Sequence, residues 1–206
     1  MNFSFVKDWE TSLRSPRFRN LFLVTIVALV GEIYSLTKFL NYNELRPAVS
    51  ITDPILELLP SIDLTWFAFI LIYVCLTTGL ISLSKYPSNL LTGIQAYILM
   101  ILFRIIAMYS VPLAPPAGMI ILQDPIVEIF GGGPIYVKDL FFSGHTSTMF
   151  LLYITAKSKL LQVIFLIFTI LIGAFVLLQH VHYSVDVIAA PFFAYGAYRL
   201  AKRIQF

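Results

Sequence analysis

Residues 160–186 read LLQVIFLIFTILIGAFVLLQHVHYSVD, which is a long apolar run followed at once by ionisable residues. Its first part, Leu160 to Leu178, contains no charged residue and is about as long as a helix that crosses a bilayer, roughly 20 residues. His182 and Asp186 follow directly. Titratable groups beside such apolar segments are costly and indicate function. The stretch therefore predicts a membrane protein with a reactive site at one end of a helix.

The whole chain has the same apolar character. Of its 206 residues, 59% are hydrophobic and 12% are charged, against roughly 25% charged in soluble domains. Residues 1–19 form a polar N-terminal segment, and residues 20–206 form one membrane domain, in which we see no internal repeat. We predict an all-α, polytopic bundle of six transmembrane helices. The predicted spans are Asn20–Leu40, Leu64–Ser84, Leu90–Val111, Leu140–Ala156, Leu160–Leu178 and Tyr183–Leu200.

Basic residues predict the orientation of these spans. One side would hold most of the basic side chains: Lys7, Arg14, Arg17, Arg19, Lys85, Lys157, Lys159, Arg199, Lys202 and Arg203. The other side would hold only Lys38, Arg46 and Lys138. By the positive-inside rule both termini are cytoplasmic, and the long connections 41–63 and 112–139 lie on the non-cytoplasmic face. The scattered basic residues lack an aromatic stacking platform, which argues against nucleic-acid binding.

The N-terminal segment has two interpretations. Val6, Trp9 and Leu13 recur at helical spacing after Phe3, which is typical of an interfacial helix on anionic lipid, although a disordered tail is an equal alternative. The polar lead before the first apolar run argues for a retained anchor. Cys75 is the only cysteine and excludes an intramolecular disulfide.

Three residues form the predicted catalytic group. The topology brings His145 and His182 to the same depth, and Asp186 follows His182 at a spacing that shares one helical face. Asp186 would fix the tautomer of His182. His182 would then attack a phosphorus atom as nucleophile, and His145 would serve as general acid and later as general base.

Residues around these three are predicted to hold a phosphate. Ser143, Gly144 and Thr146 supply hydroxyl and amide donors at the start of a helix. Arg104, inside an apolar span, requires a partner, which is either the phosphate or a carboxylate such as Glu32 or Asp139. Three further assignments stay open. Lys138 and Asp139 either border the pocket or form a solvated pair, and His180 is read as a headgroup-level residue.

Two other interpretations apply to the same residues: a purely structural role and a metal site. A lone histidine in a membrane helix often only bonds neighbouring helices together. Two histidines and an aspartate could also hold zinc. The sequence has no HExxH pattern and no Cys/His cluster, and the surrounding serine, threonine and arginine side chains suit a phosphate better. We therefore predict no metal and no cofactor.

These motifs resemble the sphingomyelin synthase family, a membrane branch of the type 2 phosphatidic acid phosphatase superfamily. The resemblance rests on four elements: Thr52-Asp53-Pro54 through Trp66-Phe67-Ala68, Arg104 through Tyr109 with Leu113-Ala-Pro115, Asp139 through Thr146, and His182-Tyr183-Ser184-Val-Asp186. It implies a six-helix bundle whose site, on the non-cytoplasmic face, transfers a phospho-headgroup such as phosphocholine or phosphoethanolamine to a sphingolipid hydroxyl. It implies the same catalytic triad, and Tyr183 joins the residues expected at the substrate.

The chain also departs from that family. Val137-Lys138 stand where the family has Cys-Gly, and Ser184 replaces a threonine, so the headgroup is left open. The basic elements of ordinary lipid phosphatases are missing, since Val176 and Leu177 stand near the place of an expected arginine. We predict a phosphotransferase that uses a glycerophospholipid donor and a ceramide- or diacylglycerol-type acceptor in the bilayer. Alternatives are a lipid phosphatase or phospholipase C-like hydrolase, and a non-catalytic lipid-binding bundle; an oligomer is compatible with the sequence.

Overall fold

The computed structural model describes residues 3–125, 129 and 133–204, and these residues form eight helices. The helices are α1 (Phe3–Arg14), α2 (Pro16–Leu45), α3 (Pro54–Glu57), α4 (Thr65–Ser84), α5 (Pro87–Ser110), α6 (Gly144–Thr155), α7 (Lys159–Leu178) and α8 (Ser184–Ile204). Within the described ranges there is no β-strand, only an isolated bridge between Val49 and Leu113. The predicted all-α class is confirmed.

Among the described residues, four helices are long and apolar enough to cross a membrane, namely α2, α4, α5 and α7. They fit an integral membrane protein. The predicted span Leu140–Ala156 is helical only from Gly144 to Thr155, a length of about 18 Å against a hydrocarbon core of roughly 30 Å. Six spans and cytoplasmic termini therefore stay predictions.

Helices α5 to α8 form the centre of the bundle. On α8, Ala190, Ala194, Ala197 and Ala201 are fully buried in one row, which packs against α5. Small side chains in such a row let two helix backbones approach closely. This packing holds the beginning of α8, which follows His182, against the rest of the bundle.

The short helix α6 lies inside this bundle and contacts α4, α5, α7 and α8. Met149 and Ile172 are fully buried where α6 meets α7. A Cβ atom at Gly173 of α7 would lie 3.0 Å from Val187 of α8 and 3.8 Å from Thr146 of α6. Glycine at this crossing therefore lets the beginnings of α6 and α8 meet beside α7.

In contrast, α2 lies at the edge of the bundle. It packs along α5, and most of its length is exposed to the surroundings. The N-terminal helix α1 folds back toward the end of α4, where the Trp9 indole donates a hydrogen bond of 2.7 Å to the Ser84 carbonyl. The predicted N-terminal helix is thus present in the structure; whether it lies on a membrane stays a prediction.

The two long connections meet at the opposite end of the bundle, which we call the loop end. The Val49 amide bonds the Pro112 carbonyl at 2.9 Å, which joins the two connections to each other. The Ile62 amide bonds the Leu178 carbonyl at 2.8 Å, and the Ile120 amide bonds the Gln179 carbonyl at 2.9 Å. Both connections are therefore tied to the segment between α7 and α8, which carries His182.

Candidate active site

A backbone hydrogen bond joins the two sequence motifs at the loop end. The Ser143 amide donates to the Asp186 carbonyl at 3.1 Å, so the residue before α6 contacts the first turn of α8. Ser143 and Asp186 are fully buried, and His182 is 2% exposed. The two motifs, about forty positions apart in the sequence, therefore form one enclosed site.

His182 and Asp186 form a hydrogen-bonded pair, although not on a common helix as the spacing had predicted. His182 lies two positions before α8 begins, in a turn that brings its Nδ1 atom to 3.3 Å from Asp186 Oδ2. A carboxylate oxygen accepts hydrogen bonds, so this contact favours the tautomer that has its proton on Nδ1 and its lone pair on Nε2. The same oxygen accepts from the Tyr183 amide at 3.0 Å. This geometry leaves Nε2 available as a nucleophile.

Asp53, from the first long connection, caps the start of α8. Its Oδ2 atom accepts from the Ser184 amide at 2.6 Å, while Oδ1 accepts from the Ile55 and Leu56 amides at the start of α3. Burial raises the pKa of Asp53, but the hydrogen bonds from Ser184, Ile55 and Leu56 outweigh burial and hold that pKa below its ordinary value. An ionised Asp53 thus fixes the backbone two residues after His182.

The start of α6 has a regular N-cap. The Ser143 hydroxyl accepts from the Thr146 amide at 3.4 Å and lies 3.0 Å from the Thr146 hydroxyl. The amides of Gly144 and His145 belong to the first helical positions, which have no acceptor within the helix. A helix start of this kind suits a phosphate oxygen.

Arg104 lies directly beneath this helix start. Its Nε atom donates to the Phe142 carbonyl at 3.1 Å, and its Nη2 atom forms an ion pair with Asp139. A Cβ atom at Gly144 would overlap Nη1 and lie 2.7 Å from the guanidinium carbon. Of the two partners expected for Arg104, the structure places the carboxylate of Asp139 there, and Arg104 still lines a cavity beside His145.

Lys138 is held by backbone carbonyls. Its ammonium group donates to the carbonyls of Glu44 and Arg46, each at 2.7 Å, and its amide donates to the Glu44 carboxylate at 2.7 Å. Asn43 donates back to the Lys138 carbonyl at 2.8 Å. Lys138 thus attaches the segment before α6 to the end of α2, and its predicted role at the phosphate stays a prediction.

His145 stands between two cavities. The central cavity, about 220 Å³, is lined by Tyr97, Arg104, Asp139, Gly144, His145 and Thr148 among others. The loop cavity, about 280 Å³, lies toward the second long connection and includes Phe69, Asp124, Tyr136, Asp139 and His145. The His145 ring packs edge-on against Phe69, with centroids 6.0 Å apart. His145 can therefore contact a molecule bound in either cavity.

His180, expected at headgroup level, is 8% exposed and lies in the turn after α7, and its level in a membrane stays a prediction. Its Nδ1 atom lies 2.9 Å from the Ala117 carbonyl and its Nε2 atom 3.2 Å from the Leu59 carbonyl, so the ring joins both long connections. The Tyr183 hydroxyl donates to the Ala114 carbonyl at 3.0 Å. Both residues hold the loops around the site.

Sequence reasoning missed the contacts of Asp53 and His180 with distant parts of the chain. Asp53-Pro54 is a recognisable helix start, and that signal would have predicted its cap of α3 but not its bond to Ser184. Within the described parts of the chain, no group of three His, Cys, Asp or Glu side chains is arranged to hold a metal ion.

One comparison with known proteins adds to this geometry. Residues 138–203 match the family described as PAP2 superfamily C-terminal, and the match covers the segment from Lys138 through both histidines to the end of α8. No curated protein and no solved structure gives a significant match to the chain. The family match supports the type 2 phosphatidic acid phosphatase superfamily, whose members are generally phosphatases and phosphotransferases, and it supports an enzyme.

Proposed function

We propose, on the premise of this superfamily match, that the protein is a lipid headgroup phosphotransferase of the sphingomyelin synthase type. The observation that carries the proposal is the pairing of His182 Nδ1 with Asp186, which leaves Nε2 as the reactive nitrogen. The donor would be a glycerophospholipid and the acceptor a ceramide- or diacylglycerol-type hydroxyl. Phosphocholine and phosphoethanolamine are the expected headgroup classes.

In the first half-reaction, the Nε2 lone pair of His182 attacks phosphorus and forms a P–N bond. The P–O bond to glycerol breaks, and protonated His145 gives its proton to the departing alkoxide, which leaves as diacylglycerol. Asp186 stabilises the positive charge that develops on His182. Arg104 and the Gly144 and His145 amides would hold the phosphate oxygens, where charge develops in the transition state.

In the second half-reaction, neutral His145 removes the proton of the acceptor hydroxyl. The acceptor oxygen attacks phosphorus, the P–N bond breaks, and His182 returns to its starting state with Nδ1 still bonded to Asp186. His145 suits both steps because it borders both cavities, so a departing alcohol and an incoming acceptor can each reach it.

A second candidate is hydrolysis, with water as the acceptor. The superfamily match covers phosphatases as well as transferases, and His145 would activate water by the same proton transfer. Such an enzyme would release diacylglycerol together with a free phospho-headgroup.

The test is mass spectrometry of lipids from proteoliposomes that contain the purified protein and mixed glycerophospholipids, with increasing amounts of ceramide. Transfer predicts that diacylglycerol release rises with ceramide and that ceramide carrying the phospho-headgroup appears in equal amount. Diacylglycerol release that does not depend on the amount of ceramide supports hydrolysis instead. If no lipid changes under any condition, the proposed chemistry is wrong.

Two histidine variants separate chemistry from folding. His182→Ala should abolish turnover, because it removes the nucleophile, while the protein keeps a melting temperature close to that of the wild type. His180→Gln alters another buried histidine of the same turn, so it should lower the melting temperature yet retain measurable turnover. Full activity of His182→Ala would exclude the mechanism.

A further inference from the structure

An apolar slot continues from the candidate site into the bundle. This slot, which we call the helix groove, has a volume of about 280 Å³ and is walled by α2, α4, α5 and α6. Leu76, Tyr97 and Thr148 line both the helix groove and the central cavity. The helix groove and the central cavity are therefore adjacent, with these three residues in the wall between them.

The lining of the helix groove is mostly hydrocarbon, with Tyr97 at its boundary with the central cavity. Leucine and isoleucine side chains provide most of it, including Leu29, Leu80 and Ile94. The two threonine hydroxyls at its wall are bonded within α6: Thr148 to the Gly144 carbonyl at 2.7 Å and Thr155 to the Leu151 carbonyl at 2.7 Å. A polar occupant would lose its hydrogen bonds to water here without replacement, so the groove suits a hydrocarbon chain.

The side of the helix groove is open. Helix α2 packs along α5, and among the described residues it shares no substantial interface with α4. Ile33 of α2 and Leu80 of α4 both line the groove and are 48% and 52% exposed. These two faces lie within helices that are apolar enough to span a membrane. A lipid chain can therefore enter the groove sideways from a bilayer.

We propose that the helix groove binds one acyl chain of the lipid whose phosphate lies beside Arg104 and His145, and that Gly93 determines how long a chain it accepts. The proposal rests on the proposed function for the position of the phosphate. From Thr148 to Thr155 the groove extends about 10 Å along α6 beyond the central cavity. A polar cavity directly beside an apolar groove matches the two parts of a phospholipid.

Gly93 lies at the deep end of the helix groove. A Cβ atom at this position would meet Leu83 at 3.6 Å and Thr155 at 4.0 Å, which are ordinary contacts. A methyl group therefore fits at residue 93, and a longer side chain would extend into the space that the end of an acyl chain would fill. Glycine here keeps the deep end open.

The test compares Gly93→Ala and Gly93→Leu with Gly196→Leu, a control on α8 where a Cβ atom meets nothing within 4 Å. In vesicles, a palmitoyl phosphatidylcholine with a diazirine at the end of its acyl chain is photolysed, and the cross-linked peptides are mapped. The wild type and the control should cross-link at the deep end, around Leu83 and Thr155. Gly93→Leu should lose those cross-links.

Turnover of palmitoyl and octanoyl phospholipids gives a second readout. Gly93→Leu should lower the ratio of palmitoyl to octanoyl turnover roughly tenfold or more, Gly93→Ala should lower it less, and Gly196→Leu should leave it unchanged. If Gly93→Leu does not fold, the smaller fall in the palmitoyl-to-octanoyl turnover ratio of Gly93→Ala tests the proposal. Unchanged cross-links and an unchanged ratio would overturn the proposal. If Gly93→Leu loses the deep-end cross-links but neither it nor the wild type shows turnover, the groove binds an acyl chain and the proposed function is wrong.

Discussion

The loop end of the molecule and its helix groove are built in opposite ways. At the loop end, Asp53, Lys138 and His180 tie distant segments together through hydrogen bonds of 2.6 to 3.2 Å. In the groove, apolar side chains surround unfilled space, and α2 is attached along one side only. The hydrogen bonds at the loop end hold the side chains around the candidate site in fixed positions, as a reaction at phosphorus requires. The groove leaves room, as a flexible hydrocarbon requires.

The contrast therefore predicts that substitutions at the loop end change rate or stability, whereas substitutions around the groove change the choice of lipid. Each variant below tests one side of that contrast.

The largest effect is expected for Asp186→Asn, which keeps the shape of the side chain and removes its charge. The amide can present its nitrogen to His182 and favour the wrong tautomer, and it cannot stabilise a cationic imidazole. Turnover should fall roughly 10³- to 10⁴-fold, measured as diacylglycerol release in proteoliposomes. Retention of more than a tenth of the activity would show that Asp186 only supports the fold.

Next comes Gly144→Ala, because the added methyl group overlaps the Arg104 guanidinium. Displacement of Arg104 should lower kcat/KM about 10²-fold while the protein still folds. Gly196→Ala is the control, since its methyl group meets nothing within 4 Å. Equal activity of the two variants would mean that Arg104 does not contact the substrate.

A moderate effect on stability is expected for Asp53→Asn, with a defined pH dependence. Because the pKa of folded Asp53 is lowered, its contribution is complete above the ordinary aspartate pKa of about 3.9 and is lost as the pH falls through the lower folded pKa. At neutral pH the variant should lose about 1–2 kcal/mol. Near pH 3 the difference in melting temperature from the wild type should shrink.

Asp63→Asn is the matched control for this prediction. Asp63 is also a loop aspartate at a helix start, and its carboxylate accepts from the Thr65 amide at 3.0 Å. It is exposed, so its substitution should change the melting temperature less than that of Asp53. If the two variants are equally stable at neutral pH, the Asp53–Ser184 bond contributes nothing measurable.

The smallest effect belongs to the open side of the bundle. Gly31→Ala adds a methyl group on α2 that meets nothing within 4 Å, so stability should rise by no more than about 1 kcal/mol, the helix preference of alanine over glycine, and turnover should stay the same. A large loss of stability in thermal unfolding would show that the middle of α2 packs against α4, which would remove the side opening of the groove.

The positions of the helices were predictable because the length of each apolar run can be read directly from the sequence. Leu160–Leu178 corresponds to α7 within one residue, and Leu64–Ser84 to α4. The start of α6 was misplaced by four residues, since Leu140 to Phe142 are as apolar as the helix itself and only the Ser143 cap marks the boundary. Apolar length alone cannot show where a backbone becomes helical.

At the candidate site, the sequence predicted the His182–Asp186 contact but assigned it to the wrong local structure. Four positions bring side chains together in a helix, and the turn before α8 achieves the same contact by placing His182 over the helix start. The bonds of His180 to Ala117 and Leu59 join segments 63 and 121 positions away. Such pairings depend on how the loops fold over the bundle, and a local sequence pattern does not predict that.

The bond between Asp53 and Ser184 forms late during synthesis. The two residues are 131 positions apart, so the carboxylate emerges from the ribosome long before the amide that it caps. A nascent chain that ends before residue 182 has His145 and Arg104 but neither His182 nor Asp186. If the protein has the proposed function, it therefore becomes reactive only once the turn before α8 and the start of α8 have been made, and a shorter chain does not cleave the lipids around it.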